Sequence, residues 1–461
     1  MSDEAGLLIE PVDSPLDASI RPPGSKSVTN RALVCAALAR GTTELVGVLE
    51  ADDTAAMIDC LTALGVQISP RPALQDRPVV VGSAEQDEVG NADGVADPAV
   101  PVRVVRGCGG RPPVDGALLD ARLSGTTSRF VAPMAALARG TVVLDGGAPL
   151  RRRPMGSLFD AIEQLGALIE PLGDPGHLPV RISASHRDVL GGAVEVSGDV
   201  SSQFLSGLLL SGPCLDDGLE VRVTTPLVSV PYVRLTADVM ASFGATVDHD
   251  DRWSVLRVPP VGYRAVSRFE VEPDASAASY WAAAAVIAGG AVRIEGLRRT
   301  SEQGDVAFVA VLEEMGAEVT WSDHDVVVRS SGALRGITVD MADISDTAQT
   351  LAAVAVFADG PTHVTGIGFI RGKETDRIAA VVAELQRMGI AATEDDDGFT
   401  VQPGAPQPAA VRTYDDHRMA MSFALIGLRA PGITILEPEC TAKTYPGFWA
   451  DLARLRGPGR P

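Results

Sequence analysis

Only three of the 39 basic residues are lysine: Lys26, Lys373 and Lys443. Where arginine has replaced lysine almost everywhere, the survivors mark places that need a compact, mobile ammonium rather than a planar guanidinium. All three sit in loop or helix-start motifs. Lys26 lies in Pro22-Pro23-Gly24-Ser25-Lys26-Ser27-Val28-Thr29-Asn30-Arg31, a Pro/Gly turn leading into a hydroxyl-rich helix start. Such a start exposes unpaired N–H groups and the positive end of the helix dipole, and Lys26 and Arg31 add two fixed charges. Phosphate or carboxylate is the ligand this suits. Lys373 falls in Arg371-Gly372-Lys373-Glu374-Thr375-Asp376-Arg377 and Lys443 in Thr441-Ala442-Lys443-Thr444. A carboxylate flanked as Glu374 is, by Lys373 and Arg377, would normally have a lowered pKa.

The elements that position these residues repeat. A polar start, an apolar helix and a glycine stop occur at Ser25 to Gly41, Gly125 to Gly140 and Ser201 to Gly212. Further copies begin at Asp274, Asp346-Thr347 and Asp416-His417-Arg418, and stop near Gly289, Gly360 and Gly432. Each stop leads into a β-rich run, then a polar loop that opens an amphipathic helix. Those outer helices end in apolar-Gly-apolar turns at Gly65, Gly166, Gly244, Gly316 and Gly389, evenly spaced except for a longer first interval. That interval holds residues 83–115, rich in Gly, Pro and acids, which read as an inserted loop. Alternating helices and strands predict an α/β fold with crossover connections. The inner helices are apolar almost all round, so they need enclosure on every side. Six units therefore fit two domains of three better than one solenoid.

Composition narrows the class. The 461 residues carry a net charge of −21, which argues against a nucleic-acid surface and makes the cationic motifs conspicuous. Apolar residues make up 46% and aromatics 4%, so Ala, Val and Leu must do the packing. No apolar run approaches the ~20 residues of a membrane span. The start, with Asp3 and Glu4, lacks the basic region of a signal peptide. Five scattered cysteines without a CxxC pair suit a reducing cytoplasm and offer no zinc motif.

Together these motifs resemble the 5-enolpyruvylshikimate-3-phosphate (EPSP) synthase family. The resemblance rests on P-G-S-K-S-x-x-N-R, the S-S-Q-F-L of Ser201 to Leu205 and the D-A-S-A-A-S-Y from Asp274. It rests equally on R-G-K-E-T-D-R from Arg371, D-D-H-R-M-A-M from Asp415 and C-T-A-K-T from Cys440. The likeness is collinear over nearly the whole chain apart from 83–115. It implies two inverse α/β domains of three repeated units each, with buried helices and a double-crossing hinge. Residues 1–24 and 273–461 would form one domain and 25–272 the other. The implied reaction moves the carboxyvinyl group of phosphoenolpyruvate to the 5-hydroxyl of shikimate 3-phosphate and releases phosphate, with no metal or organic cofactor. Phosphoenolpyruvate-like glyphosate would be an inhibitor, with Gly125 leaving room for it. The partners are these small molecules, without nucleic acid or membrane, and the expected form is a cytoplasmic monomer.

By resemblance, Lys26, Ser27 and Arg31 hold the shikimate moiety, and Ser201, Ser202, Gln203 and Ser229 its phosphate and ring. Asp346 accepts the 5-hydroxyl proton with Lys373 nearby, both beside the shikimate site, and Glu374 protonates the methylene carbon. Gly125, Arg153, Arg377, Arg418 and Lys443 form the phosphoenolpyruvate site, joined by Lys26 and Gln203. Three positions depart from the family pattern. Leu123-Ser124 stands where an asparagine is expected, Phe369 replaces another asparagine, and Phe130 takes the place of an occasional proline. The nearest alternative is the related transferase acting on UDP-N-acetylglucosamine, whose reactive cysteine Cys108 superficially resembles. That cysteine belongs in the loop that here reads Pro149-Leu150-Arg151-Arg152-Arg153-Pro154, so Cys108 reads as an exposed bystander. An RNA-binding protein on a related fold and a non-catalytic phosphometabolite-binding protein are further alternatives. Facing cations and helix starts should repel one another, which predicts an open cleft in the free protein.

Overall fold

The six units each build the same small sheet. In four of them the strand after the inner helix pairs in parallel with the strand before it, the first and fourth exchange those strands, and in all six a third strand pairs antiparallel. Thr141–Asp145 shows the plan: it lies parallel to Gly116–Asp120 and antiparallel to Val180–Ala184, which pairs in turn with Ala167–Pro171. Units built on Thr42–Val46, Leu219–Val223, Gly290–Glu295 and Thr362–Thr365 repeat this four-stranded order, and the last, on Ile433–Ile435, has three strands. The computed structural model describes residues 6–71, 100–184, 190–199 and 201–455. Among these no helix is long and apolar enough to cross a membrane.

In the four units without that exchange the parallel pair is joined through the inner helix, the usual reason for a crossover, and all six units have such a helix. These helices are α1 (Lys26–Leu38), α2 (Gly125–Ala135), α3 (Ser202–Ser211), α4 (Ala275–Ala288), α5 (Ala348–Ala355) and α6 (His417–Gly427). Five begin with a side-chain cap: Ser25, Ser124, Ser201, Asp274 and Asp416 accept hydrogen bonds from first-turn N–H groups. α5 is different. It starts through a 3-10 turn at Ser345–Thr347 and has no side-chain cap, which leaves the Asp346 carboxylate free for other partners.

Small residues let the inner helices approach closely. A Cβ on Gly207 of α3 would lie 2.3 Å from the Arg129 carbonyl of α2. In the other half, Ser279, Thr350 and Ser422 form a hydroxyl chain across α4, α5 and α6, each link 3.2 Å. It satisfies polar groups where burial would otherwise be costly.

The fold is two inverse α/β domains. Buried apolar side chains segregate into one cluster from Val28 to Val271 and another joining Ile9, Leu16 and Ile20 to residues from Ala275 onward. Leu16–Ile20 completes the sheet of Gly290–Glu295, while Arg268–Glu270 completes that of Thr42–Val46. The chain thus crosses between domains twice, side by side. Ser25 N–H donates to the Glu272 carbonyl at 2.8 Å and Asp274 N–H to the Pro23 carbonyl at 2.9 Å.

The inserted loop expected over 83–115 is corrected in part. Residues 83–99 lie outside the described residues, but Val102–Arg106 is a strand inside the first sheet, between Thr42–Val46 and Gln67–Pro70. Its valine-rich V-R-V-V-R run fits a strand, and the Gly/Pro/acid-rich flanks hid it.

Candidate active site

Five of the inner helices begin at one cleft, and the start of α4 lies beside it against Lys26 and Arg418. The cleft wall includes Lys26 at the start of α1, Gly125, Thr126 and Arg129 in the first turns of α2, and Gln203 in α3. The other domain supplies Asp346 before α5 and Arg418 in α6. The loops that open the outer helices add Asp53, Arg153, Lys373, Glu374 and Arg377. Asp274, the cap of α4, also accepts the Lys26 N–H at 2.9 Å, so one carboxylate ties the two domains.

Arg377 is the hub. Its guanidinium donates to three carboxylates: Nε to Asp416 Oδ2 at 2.7 Å, Nη1 to Asp346 Oδ1 at 3.0 Å and Nη2 to Glu374 Oε2 at 2.9 Å. Arg418 Nη2 reaches Asp346 Oδ2 at 2.6 Å, and Lys443 Nζ reaches Glu374 Oε1 at 2.8 Å. Arg153, from the other domain, stands 3.6 Å from the same Glu374 oxygen.

These pairings set protonation. Burial pushes the Glu374 carboxyl up, but Lys443, Arg377 and Arg153 outweigh it and hold the group well below the usual carboxylate range. Asp346 behaves likewise: burial raises it, while Arg418, Arg377, Lys373 and Lys26 outweigh burial and hold it below the usual carboxylate range. Burial lowers Lys373 to about 8, opposed by Asp346 and aided by Arg377. Lys373 can thus exchange a proton near neutrality. Burial lowers Lys443, but Glu374 and Asp53 together outweigh it, so the group is raised.

Most of the expected site converges. Lys26, Gly125, Arg153, Gln203, Asp346, Lys373, Glu374, Arg377 and Arg418 share the cavity wall, with Lys443 bonded to Glu374. Ser27, Arg31, Ser201, Ser202 and Ser229 do not line it. Ser201 caps α3, and Ser229, at φ 54, precedes the helix Val230–Ser242. Arg31 is 2% exposed, lies over the Phe130 ring and donates to Thr236, Ser206 and the carbonyls of Ser27 and Tyr232. Its donors are spent bracing α1, α3 and the helix Val230–Ser242.

Sequence reasoning missed Arg129, Asp53, Thr126 and Tyr232. Arg129 is buried against the Phe204 ring and donates to Gln203 Oε1 at 2.6 Å; burial and then Arg153 lower it to about 10. Its place one turn after Gly125 was the available signal, lost among so many arginines. Tyr232 OH donates to Asp346 at 3.1 Å across the domain boundary.

Two departures have local answers. Ser124 caps α2, accepting from Thr127 N–H at 3.2 Å, and the Phe369 ring lies 5.9 Å from Lys373 Nζ, a cation–π contact in place of a hydrogen bond. Cys108 is half-buried rather than exposed, because its N–H is fixed to the Ala37 carbonyl at the C-terminal end of α1. It is remote from the helix N-termini.

The expected open cleft is also corrected. The cavity measures only about 30 Å³, against the roughly 300 Å³ or more of a small-molecule site. Six cationic side chains line it, but Asp53, Asp346 and Glu374 are interleaved among them. Charge repulsion is thereby neutralised internally. Access requires these ion pairs to give way.

The sequence model of the EPSP synthase (3-phosphoshikimate 1-carboxyvinyltransferase) family matches residues 12–95 and 91–452. A 3-phosphoshikimate 1-carboxyvinyltransferase of Serratia proteamaculans is 41% identical over 97% of this chain and 98% of its own length. One of Yersinia pseudotuberculosis is 40% identical over the same shares. Among solved structures, an EPSP synthase of Acinetobacter baumannii superposes with a TM-score of 0.77 at 26% identity, covering 98% of both chains. The enolpyruvyl transferase NikO of Streptomyces tendae shares the fold at 18% identity and a TM-score of 0.72.

The Glu374 pairings give a pH-dependent stability. Its carboxyl is held below its unfolded value, so its stabilisation is complete above about pH 4.3 and is lost as pH falls through the depressed folded value. Glu374→Gln should cost roughly 3 kcal/mol at neutral pH, since it leaves buried cations unpaired. Denaturant melts across pH should show that difference constant above about pH 5 and shrinking in acid. A difference that stays constant into strong acid would contradict the pairing.

Proposed function

The chain belongs to the EPSP synthase (3-phosphoshikimate 1-carboxyvinyltransferase) family, and from that premise we propose how its residues divide the work. The enzyme transfers the carboxyvinyl group of phosphoenolpyruvate to the 5-hydroxyl of shikimate 3-phosphate, in the shikimate pathway of aromatic amino-acid biosynthesis. The observation that carries the assignment of roles is Arg377, one guanidinium bonded to both Asp346 and Glu374. It holds two carboxylates on one cavity, where a substrate hydroxyl and a methylene carbon can be addressed together.

In this reading, Arg153, Arg377, Arg418 and Lys443 clamp the anionic groups of phosphoenolpyruvate, with Lys26, Gln203 and the backbone at Gly125. Arg129, on the same wall, joins them. Ser27, Ser201, Ser202 and Ser229 serve the ring and phosphate of shikimate 3-phosphate once the cleft opens, with Lys26, Gln203, Asp346 and Lys373. Arg31, its donors occupied, contributes positive field and support rather than a contact.

Addition comes first. The 5-hydroxyl oxygen attacks C2 of phosphoenolpyruvate, Asp346 takes the hydroxyl proton and Glu374 gives a proton to C3. Elimination follows: the methyl group returns a proton to Glu374, the C2–C3 double bond reforms and the C2–O bond to phosphate breaks. Lys26, Lys443 and the guanidinium clamps take up the charge of the departing phosphate.

Glu374 must be protonated to begin, yet its partners keep it ionised. Bound anions resolve this by competing for Lys443, Arg153 and Arg377. With those cations engaged elsewhere, burial dominates and the carboxyl becomes a usable acid.

We assign residues 1–24 and 273–461 to one domain and 25–272 to the other; the segregated cores and the two adjacent crossings support that division. We also read the enzyme as a cytoplasmic monomer that binds small molecules and no nucleic acid, in keeping with its acidity and free cysteines.

Purified enzyme should release phosphate from phosphoenolpyruvate only when shikimate 3-phosphate is present, and chelator should not alter the rate. Acceptance of UDP-N-acetylglucosamine instead would overturn the reading.

Gly125→Ala tests the clamp. Its Cβ would lie 2.8 Å from Arg129 Nη1 and 3.0 Å from Arg153 Nη1, so both guanidinium ends must shift while the fold need not. A misplacement of about 1 Å costs on the order of 100-fold. A shift of a few tenths of an ångström should therefore cost about 10-fold in kcat/KM for phosphoenolpyruvate, with melting unchanged. The glyphosate inhibition constant should rise more than KM. Equal rises would refute the steric account.

A further inference from the structure

Behind Asp346 the hydrogen bonds close into a ring. Arg418 Nη2 donates to Asp346 Oδ2 at 2.6 Å, and Tyr232 OH donates to that same oxygen at 3.1 Å. Tyr232 OH also stands 3.4 Å from Asp305 Oδ2, to which Ser276 Oγ donates. Arg418 Nη2, 3.5 Å from Ser276 Oγ, completes the circuit. Five residues from five elements meet here, and the roles proposed above use neither Asp305 nor Tyr232.

The ring contains a conflict of protons. Tyr232 has one hydroxyl proton and faces two carboxylates. Were both ionised, each would compete for it, and two negative charges would face each other around a single phenol. Asp305 is also under-served: it is buried, and its Oδ1 has no hydrogen-bond partner. An unpaired, buried oxygen of an ionised carboxylate is costly, whereas the carbonyl oxygen of a neutral acid bears it more easily.

We propose that Asp305 is a positioning residue that works as a neutral carboxylic acid: it donates its proton to the Tyr232 oxygen, and Tyr232 then gives its own proton to Asp346 alone. This rests on the role given above to Asp346 as acceptor of the 5-hydroxyl proton. In that state Asp346 is the only negative charge in the ring, and its Oδ2 is fixed by Arg418 and Tyr232. When Asp305 loses its proton, the phenol turns toward Asp305, and Asp346 loses one of the bonds that aim it. No covalent bond changes, and one proton leaves to solvent.

The surroundings support a neutral acid. The charged or titratable groups facing Asp305 are Tyr232, Asp274 at the cap of α4, Asp346 and Arg418. Burial, then Asp346 and Asp274, favour the protonated form; Arg418 and the Ser276 hydroxyl oppose it. The balance puts the group at about 7.

Two measurements test this. The carbonyl stretch of a protonated carboxylic acid, read by infrared spectroscopy on the free enzyme, should be present at about pH 6, fade by about pH 8 and be missing from Asp305→Asn. Turnover of the wild type should fall several-fold across the same interval beyond any change that the substrates' own phosphates impose. Asp305→Asn should lower kcat several-fold and abolish that fall, because its amide stays neutral. Tyr232→Phe should abolish the fall too while keeping the infrared band, which covers the case that the Asn variant does not fold. An unaltered falling limb in either variant, or a wild type without the band at about pH 6, would overturn the proposal. If the wild type releases no phosphate from its two substrates, the proposed function has failed instead. The infrared result, obtained without substrate, still decides the state of Asp305.

Discussion

One buried guanidinium constrains the whole site. Arg377 is 2% exposed, and taking a charge out of water costs several kcal/mol unless partners replace the lost hydration. Asp416, Asp346 and Glu374 are those partners, and each belongs to a different piece of backbone. Asp416 also caps α6, Asp346 sits in the uncapped start of α5, and Glu374 precedes the outer helix Arg377–Arg387. Satisfying Arg377 therefore fixes two inner helices and one loop relative to each other. The two carboxylates given proton-transfer roles are held by the same fork, a geometry that an ammonium could not supply.

The second consequence is electrostatic. In a chain of net charge −21, the cleft gathers an excess of cations. Internal carboxylates occupy them, which closes the cleft to about 30 Å³ and keeps Glu374 and Asp346 ionised. On the roles proposed above, substrate anions and protein carboxylates compete for the same cations. Binding and acid activation would then be one event, with incoming phosphate and carboxylate replacing the ion pairs that opening costs.

Much of this was legible in the sequence because it is local. Hydroxyl and acidic caps, apolar helices and glycine stops repeat six times, and the structure returns six inner helices with five of those caps. The three lysines that composition singled out also lie together: Lys26 and Lys373 line the cavity and Lys443 bonds Glu374. What escaped is long-range or compositional. Tyr232 meets Asp305 and Asp346 across separations of 73 and 114 residues, and only domain closure joins them. Arg129 carried no mark among so many arginines. The strand Val102–Arg106 was masked by its surroundings, and Arg31 misled because a conspicuous cation at a helix start turned inward to brace the core. The cations' acidic partners were visible individually, but their pairing was not.

The central claim is that bound anions release Glu374 from its cations and let it take a proton. Titration calorimetry in buffers of different ionisation enthalpy measures proton uptake directly, with shikimate 3-phosphate and an unreactive phosphoenolpyruvate analogue as ligands. The account predicts that the wild type takes up about one proton more than Glu374→Gln on forming the ternary complex, near neutral pH. Equal proton uptake by the two enzymes, with both ligands shown to be bound, would contradict it.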